Sequence, residues 1–195
     1  MALSFWLLLA LALLSAPPEL TAAVLLAAAL HECGHLLALA MLGAPVEGLR
    51  LSAMGAEIDA RTERLSYARE LAAVLAGPAV NLTCAPVFAR LALRLAWDWG
   101  WLFAGAHALL GVYNLLPIPP LDGARAFYLL LSWHMGPDTG ERIGTAVGLT
   151  AALALVACGA YATFSCGGAL FLLAALGLLS GAVRQFAIAK TAASV

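Results

Sequence analysis

Three ionisable side chains, His31, Glu32 and His35, interrupt an apolar run from Thr21 to Leu42. An acid at the centre of a membrane helix costs about 2.5 kcal/mol or more, so a chain that keeps these groups within two helical turns has a use for them. At positions i and i+4 the two histidines share one helical face and can both reach a single ion. Glu32 lies about 100° round the helix, placed to take a proton from water held by that ion. Residue frequencies in this chain would produce His-Glu-x-x-His by chance about 0.003 times. The alternative is a pair of hydrogen-bonded core histidines beside a paired acid. The same run holds no Lys or Arg to pair with Glu32.

A catalytic zinc usually takes three protein ligands and keeps one position for water. The chain offers His107, His134 and Asp122 as the third. His107 has no motif around it and reads as a hydrogen-bonded core histidine; His134 beside Trp133 reads as interfacial. Asp122 is the better candidate. It follows Pro117-Ile118-Pro119-Pro120, which cannot continue a helix, and Gly123 lets the chain bend beside it. Broken backbone at membrane depth is tolerated where it faces protein or a wet cavity. Cys33, Cys84, Cys158 and Cys166 form no CxxC and read as small core residues. Ligation by Cys33 would need a different helix face from His31 and His35.

The elements that must position these groups follow from composition. Of 195 residues, 64% are hydrophobic and 11% charged, against about a quarter charged in a soluble domain; mean hydropathy is +0.96. The expected fold is all-α and polytopic, in a lipid bilayer, with about six transmembrane helices. The net charge of -1 leaves no nucleic-acid footprint. Span one runs from about Leu3 to Ala16, ended by Pro17 and Pro18; the alternative is a signal-peptide core, although no Lys or Arg precedes it. Span two is about Glu19 to Leu42. Leu49-Arg50-Leu51-Ser52 and Met54 to Asp59 alternate with period two, a strand signature whose phase shifts at Ala53. They predict a small β-hairpin or sheet at the membrane surface, over residues 46–59. Span three is about Leu71 to Leu95, and Trp97-Asp98-Trp99-Gly100-Trp101 reads as an interfacial turn. Span four starts near Leu102, breaks at Asn114 to Gly123, and resumes to about Trp133. Spans five and six are about Ile143 to Thr163 and Gly168 to Ala189, within a C-terminal pair of spans over 142–190.

Six spans put both termini and the hairpin on one side. Arg50, Arg61, Arg64, Arg69, Arg142, Arg184 and Lys190 collect there, against Arg90 and Arg94 opposite. That excess makes the first side cytoplasmic.

His31-Glu32-x-Gly34-His35, the Gly77-Pro78-x-x-Asn81 element, and the Asn114-x-x-Pro-x-Pro-x-x-Asp122-Gly123 stretch together resemble the site-2 protease family of intramembrane zinc metalloproteases. The resemblance covers roughly residues 20–133. It implies a three-span catalytic core, zinc on His31, His35 and Asp122, and Glu32 as the base that activates water against a peptide bond. An extra N-terminal span, two spans after the core and cytoplasmic ends are most similar to the bacterial sporulation-type branch, which cleaves a membrane-associated pro-sigma factor. Neither the C-terminal nucleotide-sensing domain often fused in that branch nor a PDZ insertion is expected in this chain. Asn81 and Asn114 are candidate donors to the substrate backbone or the oxyanion; an interhelical hydrogen bond is the alternative for both. The expected partners are a membrane protein or membrane-associated substrate, the bilayer, and either a membrane regulator or a second copy. Two other functions compete. A transporter or channel would use a broken helix too, but would need its repeat in spans five and six. A non-catalytic helix-binding relative would be expected to have lost a ligand or the base.

Overall fold

Prolines and glycines set the boundaries of the helices. The computed structural model describes residues 16–52, 55–62, 65–166 and 169–192; the expected first span lies, up to residue 15, outside them. Pro18 opens α1 (Pro18–Met41), where its fixed φ suits the first turn and its missing N–H would have had no partner. Gly43, at φ +70°, ends it, a left-handed conformation that glycine adopts without strain.

The alternating segment forms a hairpin, β1 (Val46–Ser52) antiparallel to β2 (Gly55–Ala60). Leu49 faces Ile58, Ser52 faces Gly55, and the register slips between Val46 and Gly48. The expected phase shift at Ala53 lies outside the described residues. Ile58, Ala60 and Leu65 pack against a cluster of Leu39, Ala44 and Ala73, which ties the hairpin to the end of α1 and the start of the next helix. That helix is α2 (Tyr67–Leu95), and it is followed by α3 (Asp98–Asn114). Ala96, at φ 48°, turns the chain between them. Helices α1, α2 and α3 pack against one another in pairs.

The chain divides into two compact units after Asn114. The expected interrupted fourth span is two helices, with residues 115–121 non-helical between them. The second unit holds α4 (Asp122–Met135), α5 (Pro137–Cys166) and α6 (Ala169–Ala192). Gly136, at φ +86°, separates the first two.

Among the described residues, three helices are long and apolar enough to cross a membrane: Pro18–Met41, Tyr67–Leu95 and Pro137–Ser165. α3 has one outward side and one buried side. Leu109 is 73% exposed, whereas His107, on the opposite side of the helix, is 0% exposed.

Candidate metal centre

The stripe of α1 that faces the first unit's interior reads Ala23, Ala27, His31, Gly34, His35, Leu39. Small residues let neighbouring helices approach closely, and the two histidines continue that stripe. Cys33 is exposed on another face, away from both rings, and Glu32 is half-buried beside them. A Cβ at Gly34 would stand 2.9 Å from the Ala76 carbonyl oxygen of α2. Backbone contact of this kind is available to glycine alone.

Helix α2 presents its Gly77-Pro78-x-x-Asn81 element to the histidines. Pro78 removes one ladder hydrogen bond. Within the turn before it, the Ala73 carbonyl accepts a hydrogen bond from His35 Nδ1 at 2.9 Å. That bond puts the proton on Nδ1 and leaves the lone pair on Nε2. His31 Nε2 lies 3.2 Å from His35 Nε2, the rings set edge to face at 83°. Two nitrogens held at about 2.0–2.1 Å by one tetrahedral ion stand about 3.3 Å apart. The pair therefore fits a shared metal ion. Gly77 makes room for it: a Cβ there would run into the His35 ring. Gly77→Ala is expected to destabilise the protein by about 1–3 kcal/mol and to weaken metal binding, both readable by thermal unfolding with and without added zinc.

Asn81 is fully buried and joins the histidines directly. Its side-chain amide lies 3.3 Å from His31 Nδ1 and 3.0 Å from His107 Nδ1. The sequence suggested Asn81 as a substrate or oxyanion donor; here its amide is engaged at both ends by imidazoles. His107, read from sequence as a hydrogen-bonded core histidine, is that, but its partner belongs to the metal centre. No local periodicity connects residues 31, 81 and 107, and only the packing of three helices brings them together.

Asn114 ends α3, and its amide donates to the Leu110 carbonyl at 3.1 Å. The structure does not bring it to the histidines through a hydrogen bond. His134 is exposed and bonded to its own helix at the Leu130 carbonyl. Asp122 belongs to the second unit. It is half-buried as the first residue of α4, where backbone N–H groups favour an acid. Gly123 beside it is required by packing, since a Cβ would collide with the Leu115 and Leu116 carbonyls of the proline loop. Gly148 of α5 meets that loop from the other side, at Pro119.

No protein-family model matches the chain. An alignment 157 residues long covers 75% of the chain, and over it the chain is 34% identical to a Mycobacterium tuberculosis protein named "Putative zinc metalloprotease Rip3", found in two strains. The match spans about 40% of the length of that relative. In structure it is similar to the Site-2 Protease from Methanocaldococcus jannaschii, with a TM-score of 0.69 over 93% of this chain and 85% of the other, at 22% identity. The chain thus shares its fold with that protease and, over the matched region, its sequence with a relative that bears the name of a zinc metalloprotease.

Proposed function

We propose that the chain is an intramembrane zinc metalloprotease acting on a membrane-embedded or membrane-associated protein. The observation that carries this reading is the pair of imidazole Nε2 atoms 3.2 Å apart on one helix, with Glu32 beside them in a site-2 protease fold. His31 and His35 supply two ligands, and Asp122 is assigned as the third. When bound, zinc lowers the pKa of its water toward neutrality and polarises the scissile carbonyl. Glu32 accepts the proton of the attacking water and delivers it to the leaving amine.

The substrate must present an extended backbone, because an intact helix hides its carbonyls. The β1–β2 hairpin offers strand edges on which an unwound segment can pair. Asn114 spends one N–H on Leu110 and has a second for the substrate backbone. The fuller assignment follows the resemblance described above: six spans in a bacterial membrane, both termini cytoplasmic, and a pro-sigma factor as substrate, with a membrane regulator or a second copy as partner.

The test is substrate trapping. Membranes from cells carrying the wild type and Glu32→Gln are compared by proteomics. A membrane protein that accumulates at full length only with the variant, and whose fragments appear only with the wild type, is the expected result. Identical membrane proteomes and fragment sets in the two strains would rule against protease function.

A further inference from the structure

Glycines recur at every fourth residue along one face of α5: Gly140, Gly144 and Gly148. The outer two are closely packed. A Cβ on Gly140 would strike Ser132 of α4, and one on Gly148 would stand 2.9 Å from Pro119 of the proline loop. The middle one differs, since a Cβ on Gly144 would meet nothing within 4 Å. A glycine inside a helix costs about 0.5–1 kcal/mol relative to alanine, and no protein contact at Gly144 requires it. What lies beside it is a cavity of about 390 Å³, within the second unit. Sites for small molecules run from about 300 to 1,000 Å³.

The cavity carries charge of both signs. Arg125 and Tyr128 line it from α4, Glu141 and Thr145 from α5, and Pro119 and Pro120 from the loop. The Arg125 guanidinium lies over the Tyr128 ring, 5.5 Å from its centroid. A guanidinium with neighbouring hydroxyls suits a phosphodiester. A carboxylate suits a primary ammonium, which offers three N–H donors.

Position along α5 identifies the source of such a ligand. Asp138, Glu141 and Arg142 lie in its first turns, and no charged residue follows from Ile143 to Cys166. The helix is long and apolar enough to cross a membrane. Trp133 of α4, 53% exposed, stands at the same end, and tryptophan concentrates at the headgroup level of a bilayer. Glu141 lies on the charged side of that boundary and Thr145 on the apolar side, so the cavity stands at headgroup level. Beyond it, exposed apolar side chains of α5 such as Leu153 offer a surface to acyl chains.

We propose that this cavity binds the headgroup of a phosphatidylethanolamine molecule, with the phosphate at Arg125 and the ammonium at Glu141. A choline headgroup has no N–H to give Glu141, and a glycerol headgroup carries no cation. The bound lipid rests against Pro119 and Pro120, and so braces the loop that leads into Asp122. The proposal does not depend on the protease assignment.

The experiment places the full chain in nanodiscs of equal parts phosphatidylcholine and phosphatidylethanolamine, then weighs the released protein with its retained lipid by native mass spectrometry. Wild type is expected to retain phosphatidylethanolamine in preference. Glu141→Gln keeps the shape and removes the charge, and should lower that preference about tenfold, the loss of one charge-assisted hydrogen bond. Gly144→Leu fills the cavity from a position where a side chain meets no protein atom and supplies a better helix former. It should keep the wild-type circular dichroism and lose retention of both lipids. Equal retention of the two lipids by wild type overturns the proposal, as does an unchanged preference in Glu141→Gln. So does displacement of the lipid by an equal concentration of soluble phosphoethanolamine, which would make the free headgroup the ligand. Folded Gly144→Leu protein with unchanged lipid retention but a raised KM for a membrane-anchored reporter would assign the cavity to substrate instead.

Discussion

Glu32→Gln is expected to lower peptide-bond cleavage by about 10²–10⁴-fold, the usual contribution of a general acid–base group, with zinc content unchanged. Glutamine keeps the length and one hydrogen-bonding oxygen but cannot accept the proton of the attacking water. The side chain lies on the helix that carries both histidines, half-buried between His31 and the exposed Cys33. Its replacement by an isostere leaves the small-residue stripe intact. The measurement is turnover of a membrane-anchored reporter by purified protein in bilayers, with metal content determined on the same sample. The loss should fall on kcat and leave KM nearly unchanged, because the proton transfer belongs to the transition state. Wild-type turnover by the variant would show that another group is the base.

The second large effect is expected at Asp122. Asp122→Ala should cost more zinc affinity than the about 10–100-fold typical of an orienting partner, and abolish turnover, because it removes a ligand outright. The fold around it should tolerate the change. Asp122 is only half-buried, and the proline loop rests on its neighbour Gly123. Far-ultraviolet circular dichroism and the metal-free unfolding temperature should therefore stay close to wild type. Asp122→Ala protein with full zinc occupancy and full turnover would assign the third ligand elsewhere. His35→Ala provides the comparison: it removes a ligand and also the bond to Ala73, so it should lose both zinc and some metal-free stability.

The relative in Mycobacterium tuberculosis is more than twice as long as the matched region. Its similarity therefore bears on the matched region alone. Substrate choice is a matter for the trapping experiment.

Much of this protein was legible without coordinates because the signals are local. His31 and His35 share a face because a helix repeats every 3.6 residues. The hairpin follows from period-two alternation, and β1 and β2 pair where it was expected. Prolines 117, 119 and 120 lack the N–H that a helix needs, and residues 115–121 are non-helical. Apolar length alone marked the membrane helices, of which three stand out among the described residues.

Only the tertiary structure decided which atoms of that motif are committed and to whom. The Nδ1 proton of His35 is set by a carbonyl 38 residues away. His31 is held by an amide 50 residues away, and that amide by an imidazole a further 26 residues along. A histidine in an apolar helix carries no sequence mark of its partner, since hydrogen bonds between helices depend on rotation and crossing, which no local period encodes. The sequence by itself determined the chemistry a metal would meet. Packing of α1, α2 and α3 determined the orientations in which the histidines meet it.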